Sequence, residues 1–105
     1  MRPKFGNRKV TIDGIEFASE KEGRRYRELV LLERAGQIAN LIAHPPFRLE
    51  VNGQLVCKYV GDFAYQEGGQ TVVEDVKSPI TRKNRAYRLK NKLMKAVHGI
   101  TIREV

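Results

Sequence analysis

Alternating hydrophobic and polar positions, interrupted by tight turns, predict three β-hairpins along the chain. Asp13-Gly14, Asn52-Gly53 and Gly68-Gly69 mark the turns, because such residue pairs readily adopt the left-handed conformations of two-residue hairpin loops. In the first hairpin, residues 9–12 pair with residues 15–17. In the second, residues 47–51 pair with a strand that starts at residue 54, bends near Gly61 and reaches Tyr65. In the third, the same strand pairs with residues 71–77. The alternation therefore predicts a chain rich in antiparallel strands.

Two longer segments carry hydrophobic residues at helical spacing. The first helix is expected to begin at Ser19, because Ser19 and Glu22 match the S-x-x-E capping box, and to end at Gly36. The second is expected over roughly 81–98, with Gly99 after its last turn. Its predicted buried stripe consists of Ala86, Leu89, Leu93 and Val97.

The remaining segments complete the expected order of elements. Residues 38–42 lead into His44-Pro45-Pro46, and the prolines predict an extended connector there. Residues 100–105 predict a last strand. The order hairpin, helix, three strands, helix, strand indicates an α/β fold with a sheet flanked by helices. The length of 105 residues predicts one domain, residues 9–105, after a basic flexible arm, residues 1–8.

Composition and charge narrow the function classes. Cys57 is the only cysteine, which excludes a disulfide framework or a zinc-type cysteine cluster and fits a reducing, cytoplasmic setting. No apolar run is long enough to span a membrane. The net charge is +8, and the segment from Val76 to Arg103 contains lysines and arginines but no acid. This charge predicts a polyanionic partner, although a basic, merely solvated face is the simpler alternative.

Candidate chemistry begins with two acids on neighbouring predicted strands. A loop of two or four residues at Gly68-Gly69 places Asp62 opposite Asp75, and Lys77 shares the face of Asp75. Like charges directly opposite each other destabilise a sheet unless they are compensated. A divalent cation would compensate them, so the pattern indicates metal-assisted phosphodiester chemistry.

The chain resembles the PD-(D/E)XK nuclease superfamily and, within it, a small phage and prophage family of uncharacterised endonuclease-like proteins. The resemblance rests on Phe17-Ala18-Ser19-Glu20-Lys21-Glu22 with Arg24-Arg25-Tyr26, on Asp62-Phe63, on Val72-Val73-Glu74-Asp75-Val76-Lys77 and on the closing residues 100–105. It implies a restriction-endonuclease-like core of helix, three antiparallel strands, helix and strand. That order agrees with the order predicted from the hydrophobic pattern.

The resemblance also implies roles for individual residues. Asp62 and Asp75 would bind Mg²⁺ or Mn²⁺, hard cations that favour carboxylate oxygens, and the backbone carbonyl of Val76 would be a further ligand. Lys77 would orient the attacking water or stabilise the pentavalent phosphate. The implied activity is a divalent-metal-dependent endodeoxyribonuclease, phage-encoded and acting in the bacterial host, in recombination or replication.

Two further acids remain open at this stage. Glu22 is either the helix carboxylate of the metal site or only the second half of the capping box with Ser19. Glu74 should point to the face opposite Asp75, and a slip of one residue in the strand register would exchange the two. Glu74 is therefore the reserve candidate ligand.

Basic residues on both helices are the expected contacts with DNA. The candidates are Arg24, Arg25, Arg85, Arg88 and Lys92. Such contacts grip phosphates without reading sequence, so a branched DNA substrate is a hypothesis. Symmetric cleavage of two strands would need two copies, which makes a homodimer a further hypothesis. The alternatives are a non-catalytic nucleic-acid-binding module and a basic structural subunit of a larger complex.

Overall fold

A computed structural model describes residues 8–105, without the side chains of residues 79 and 81. The predicted basic arm, residues 1–8, thus lies outside the described residues except for Arg8. The elements in chain order are β1 (Val10–Ile12), β2 (Ile15–Phe17), α1 (Glu20–Arg34), β3 (Ala39–Ala43), β4 (Pro46–Val51), β5 (Gln54–Val60), β6 (Phe63–Glu67), β7 (Gln70–Asp75), α2 (Pro79–Arg82), α3 (Arg85–Leu93), a π-helical turn (Met94–His98) and β8 (Arg103–Glu104).

A four-stranded mixed sheet forms the centre of the fold. Its strand order is β3-β6-β7-β8, in which β3, β6 and β7 are antiparallel and β8 runs parallel to β7. Two separate ribbons, β1-β2 and β4-β5, flank it. The predicted α/β class with an N-terminal hairpin is therefore confirmed.

The three predicted hairpin turns form as expected. Both residues of each turn have positive φ, between 52° and 80°, the conformation that Asn, Asp and Gly tolerate best. In the third hairpin Glu67 pairs with Gln70 and Phe63 pairs with Glu74. This is the predicted register, and it brings the start of β6 beside the end of β7.

The predicted composition of the three-strand core was wrong in two respects. The expected connector contains β3, which pairs with β6, and the expected long strand breaks at Gly61 into β5 and β6, which belong to different sheets. The break is fixed by tertiary hydrogen bonds, because Gly61 N–H donates to the Pro45 carbonyl at 3.0 Å and His44 N–H donates to the Asp62 carbonyl at 2.9 Å. The antiparallel strands of the central sheet are therefore β3, β6 and β7, and β4-β5 forms a separate two-stranded sheet.

The first helix was predicted correctly, and the second only in part. Ser19 caps α1, but the second segment breaks before Asn84, whose side chain accepts the Tyr87 N–H and restarts the helix as α3. The predicted buried stripe fails at Ala86, which is exposed, and at Leu89, which is 58% exposed, whereas Met94 is fully buried. The new start and the π-helical turn decide which face meets the core.

Apolar side chains form two clusters in the core. The first contains Phe17, Tyr26, Leu29, Ile38, Phe63 and Tyr65, and the second contains Leu49, Tyr59, Ala64, Val73, Met94 and Ile102. Neighbouring residues of β6 and β7 alternate between the two clusters, as the pleat of a strand requires. Within residues 8–105, no helix is both long and apolar enough to cross a membrane.

Candidate active site

Asp62 and Asp75 meet at the end of the hairpin formed by β6 and β7. Asp62 lies directly before β6, and its backbone N–H donates to Asp75 Oδ1 at 2.9 Å. In return, the Val76 N–H after β7 donates to Asp62 Oδ2 at 2.7 Å. The predicted hairpin register thus places the two carboxylates next to each other, each held by the backbone of the other strand.

Both carboxyl groups are protonated more easily than ordinary aspartates. Burial, followed by the nearby Glu22 carboxyl, raises the pKa of Asp62 to about 7, and the Val76 N–H and Lys77 only partly oppose this rise. Burial and the Asp62 charge also raise the pKa of Asp75, against the Tyr59 hydroxyl and Lys77. Asp75 is 1% exposed. Negative charge is therefore incompletely compensated at this point of the fold.

Glu22 takes part in the helix cap and also lies near Asp62. Its N–H donates to Ser19 Oγ at 3.1 Å, and its Oε2 accepts from the same hydroxyl at 3.3 Å. The buried Glu22 carboxyl also lies close enough to Asp62 to raise the pKa of the Asp62 carboxyl. Glu22 thus closes the cap through the Ser19 hydroxyl and also faces the Asp62 carboxyl.

Lys77 is held beside Asp75 by two neighbours. Its Nζ lies 3.6 Å from Asp75 Oδ2 and 4.1 Å from the ring centroid of Tyr87. Tyr87 is itself anchored, since its hydroxyl donates to Glu104 Oε2 at 2.6 Å. The backbone of Lys77 is also fixed, because its carbonyl accepts from Lys21 Nζ at 3.2 Å. The ammonium therefore has a defined position at the acid pair.

Sequence reasoning missed three residues around the acid pair. Tyr59 donates its hydroxyl to Asp75 Oδ2, Tyr87 lies under Lys77, and Lys21 reaches the Lys77 carbonyl. A tyrosine in a strand or helix pattern carries no local signal beyond packing.

Glu74 lies on the opposite face, as predicted, and is not part of the acid pair. It is fully buried and accepts from Arg25 Nε at 2.8 Å and from a second Arg25 nitrogen at 2.7 Å. Burial alone would raise the pKa of Glu74, but the hydrogen bonds from Arg25 and Tyr65 outweigh it and lower the pKa. Glu74 is therefore an ion-pair partner, and the predicted DNA contact Arg25 is half-buried and engaged by Glu74 and by Glu28, the latter at 2.9 Å.

The described side chains offer two carboxylates, and not a complete set of ligands, to a divalent cation. Within residues 8–105, no three His, Cys, Asp or Glu side chains are arranged to hold one metal ion. Magnesium, however, commonly binds proteins through one or two carboxylates, with water and substrate phosphate as the other ligands. Asp62 and Asp75 can supply such a pair, while Val76, predicted as a carbonyl ligand, contacts the pair through its N–H.

The other predicted DNA-binding residues lie on the surface. Arg24 is exposed and lines a recess between α1 and β1, and Arg85 is exposed at the start of α3. Arg88 and Lys92 line a groove along α3. All four side chains are exposed, and none of them belongs to the acid pair.

Comparison with known proteins adds one family. The sequence matches the family described as "Protein of unknown function (DUF1064)" over residues 2–102. No curated protein and no solved structure matches the chain.

Proposed function

The chain belongs to the DUF1064 family, and we propose that it is a divalent-metal-dependent endodeoxyribonuclease that hydrolyses DNA phosphodiester bonds. The observation that carries the proposal is the pair of the half-buried Asp62 and the buried Asp75, with the Lys77 ammonium 3.6 Å from Asp75. The pKa values of both aspartates are raised. The pair is therefore expected to destabilise the free protein, because like charges in a desolvated site repel each other. A bound cation would relieve that repulsion.

Asp62 and Asp75 are the residues that would hold Mg²⁺ or Mn²⁺. A divalent cation bound there would supply Lewis acidity toward the phosphate and a nucleophile at neutral pH. Hydrogen bonds from the Tyr59 hydroxyl and from two backbone N–H groups fix the carboxylates before any ligand arrives. Glu22 would assist by contacting Asp62, and the Val76 carbonyl is a further proposed ligand.

Lys77 is the group proposed to act on the substrate. Its side chain is largely buried, and the Tyr87 ring holds its ammonium at 4.1 Å, so little rotational freedom has to be lost when a phosphate binds. An ammonium held in this way would stabilise charge that develops on the phosphate oxygens, or orient the attacking water. This is the role that an acid-x-Lys motif at a strand end predicts.

The topology supports membership of the PD-(D/E)XK superfamily. The order α1, β3, β6, β7, α3, β8 contains a helix, three antiparallel strands, a helix and a final strand. The acid pair and Lys77 lie where β7 ends, beside the crossing from β5 into β6. We assign the chain to the restriction-endonuclease-like fold on this order and on the residues of the motif.

The biological setting follows from the same proposal. The chain would be phage-encoded and would act in recombination or replication, with a branched DNA junction as the favoured substrate. One acid pair cuts one strand, so symmetric cleavage of a junction would require a homodimer. Analytical ultracentrifugation with and without junction DNA tests that assembly.

The direct test is cleavage of fluorescent four-way-junction and linear duplex DNA in the presence of Mn²⁺. Wild-type protein is expected to cut, and Lys77→Ala is expected to lose about 100-fold or more of the rate, the scale seen when one oriented donor to a transition-state charge is removed. DNA binding should be retained by the variant, because Lys77 is largely buried.

Lys58→Ala is the matched control, since Lys58 is an exposed cation on β5 and its loss changes the net charge equally. It should cut like the wild type. Equal cutting by wild type and Lys77→Ala would remove the proposed site. The absence of cutting on every substrate with Mg²⁺ and Mn²⁺, while DNA is still bound, would remove the nuclease.

A non-catalytic nucleic-acid-binding module is the second candidate, and one observation favours it. Asp75 already accepts from Tyr59 and from the Asp62 N–H, and Asp62 accepts from Val76, so protein groups satisfy much of the carboxylate capacity. This candidate predicts that Asp75→Asn leaves DNA affinity unchanged or higher and that Mn²⁺ binding is absent in calorimetry. The nuclease predicts measurable Mn²⁺ binding that Asp75→Asn abolishes.

A further inference from the structure

A basic groove runs along α3. It is lined by Arg88, Asn91, Lys92, Lys95 and Thr101. The first four residues stand at positions i, i+3, i+4 and i+7, a spacing that places them on one face of a helix. Thr101, from the segment before β8, forms the other wall. We name this surface the α3 groove.

The positive charge of the α3 groove has no compensation within residues 8–105. No described carboxylate lies within ion-pair distance of Arg88, Lys92 or Lys95, whereas several exposed cations elsewhere are paired. Those pairs are Arg8–Glu20, Lys9–Glu16, Arg48–Glu50, Arg82–Glu104 and Arg103–Glu67. Like charges at i, i+4 on a helix destabilise it. A run of unpaired cations on one helix face therefore indicates an external anion.

The lining of the α3 groove selects the kind of anion. It consists of three cations with an amide and a hydroxyl and contains no apolar side chain. A membrane-bound helix would insert apolar residues beside its cations, and a protein partner would be expected to meet buried aromatic or aliphatic anchors. Cations, amides and hydroxyls are the groups that contact phosphate oxygens of nucleic acids.

The length of the α3 groove fits a polynucleotide strand. The seven residue steps from Arg88 to Lys95 span roughly 10 Å at about 1.5 Å per residue. One DNA strand presents a phosphate about every 3.4 Å along the helix axis. The groove can therefore contact about three successive phosphates.

We propose that the α3 groove binds the phosphodiester backbone of a DNA segment that flanks the segment held at the acid pair. Tyr87 faces Lys77, and Arg88 and Lys92 lie about 100° and 140° around the helix from Tyr87. The groove and the acid pair thus use different sides of α3. The distinction between flanking and cleaved segments rests on the proposed nuclease function, but backbone binding by the groove does not.

The test is fluorescence anisotropy with a labelled DNA duplex, in EDTA so that no cleavage occurs. Lys92→Gln/Lys95→Gln is expected to weaken binding about tenfold or more and to reduce the slope of log affinity against log salt by about 2, since each phosphate contact contributes about 0.9. Both lysines are exposed, so the variant should melt like the wild type.

Arg34→Gln/Lys58→Gln is the matched control, because it removes the same charge from two exposed cations outside the groove. Its affinity and salt slope should stay close to the wild type. Equal weakening by both variants would reduce the effect to net charge and overturn the proposal. Unchanged DNA binding by the groove variant would also overturn the proposal. A groove variant that keeps its DNA affinity but no longer binds phosphatidylserine vesicles would overturn it as well.

Cleavage kinetics separate this proposal from the proposed function. If the protein cuts DNA, the groove variant should raise KM and leave kcat near the wild-type value, because it removes binding away from the acid pair. If the protein does not cut DNA but the groove variant still has a weakened DNA affinity, the proposed nuclease function is excluded and DNA binding by the α3 groove is supported.

Discussion

Single side chains around the acid pair are restrained by partners that come from distant parts of the chain. The Tyr59 hydroxyl binds Asp75, the Tyr87 ring lies under Lys77, and Glu22 contacts Asp62 while it caps α1. Preorganised charges act more strongly than mobile ones, since no reorganisation is needed during the reaction. These neighbours are therefore where substitutions should separate positioning from folding.

Tyr87 is expected to be a positioning residue for Lys77. Tyr87→Leu should lower kcat about tenfold with little change in KM, because a cation–π contact of a largely buried lysine is worth about 1–2 kcal/mol and 1.36 kcal/mol is tenfold in rate. Tyr87→Phe keeps the ring and loses only the hydrogen bond to Glu104. Steady-state cleavage rates and melting curves of the two variants distinguish these effects. Equal kcat losses in both would contradict the prediction.

Asp62 should make the metal-free protein less stable as the pH rises. Its folded pKa is about 7, above the unfolded value near 3.8, so the folded state retains a proton that the unfolded state releases. Stability from this group is present below pH ~4 and is lost as the pH rises to about 7. Urea unfolding in EDTA should show that Asp62→Asn, which cannot ionise, is less sensitive than wild type to this pH change.

The control for this pH effect is an exposed carboxylate. Glu16→Gln on β2 should follow the wild-type pH dependence, because Glu16 is an exposed carboxylate. If Asp62→Asn lost stability between pH 4 and 7 as steeply as the wild type, the raised pKa of Asp62 would not be the cause.

At the scale of elements, a buried ion pair holds α1 against the central sheet. Arg25 on α1 makes two hydrogen bonds to Glu74 on β7, and the Tyr65 hydroxyl of β6 completes the Glu74 contacts. Because Glu74 precedes Asp75 and Arg25 follows Glu22 by one helical turn, the same pair sets the distance between Glu22 and the acid pair. The element contacts and the candidate site are thus coupled.

Removing one partner of this ion pair should be costly. Arg25→Ala is expected to lower the free energy of unfolding by about 3 kcal/mol, since it leaves the buried Glu74 carboxylate without its main partner. Arg48→Ala removes an exposed pair with Glu50 and should cost less than about 1 kcal/mol. Urea denaturation of both variants measures the difference. The double variant Arg25→Met/Glu74→Gln should recover part of the lost free energy of unfolding. If its loss equalled the sum of the losses of the two single substitutions, the coupling between Arg25 and Glu74 would be contradicted.

At the scale of the whole molecule, charge and chemistry are distributed unevenly. The chain has a net charge of +8, yet its most deeply buried ionisable groups are the acids Glu74 and Asp75. These two buried acids lie where β7 ends in the central sheet, and uncompensated cations line α3. Under the proposed function, a polyanion attracted by the outer charge would meet an acid pair that binds a divalent cation.

The local sequence determined the hairpin turns, the start of α1, the register of β6 with β7 and hence the meeting of Asp62 with Asp75. These features depend on residues close in the chain, where turn chemistry and the two-residue period of a strand decide the outcome. The opposite orientation of Glu74 follows from the same period. The sequence was therefore sufficient to predict that Asp62 and Asp75 lie next to each other.

Only the tertiary structure decided the membership of β3 in the central sheet, the break at Gly61, the pairing of Arg25 with Glu74 and the two tyrosines that hold Asp75 and Lys77. Each of these depends on contacts between residues far apart in the sequence, such as Gly61 with Pro45 and Arg25 with Glu74. An arginine has the same local pattern whether it faces solvent or a buried glutamate, and a tyrosine whether it only packs or also orients a charge. The physical reason is that burial and partner choice are properties of the packed sheet and helices, not of any single segment.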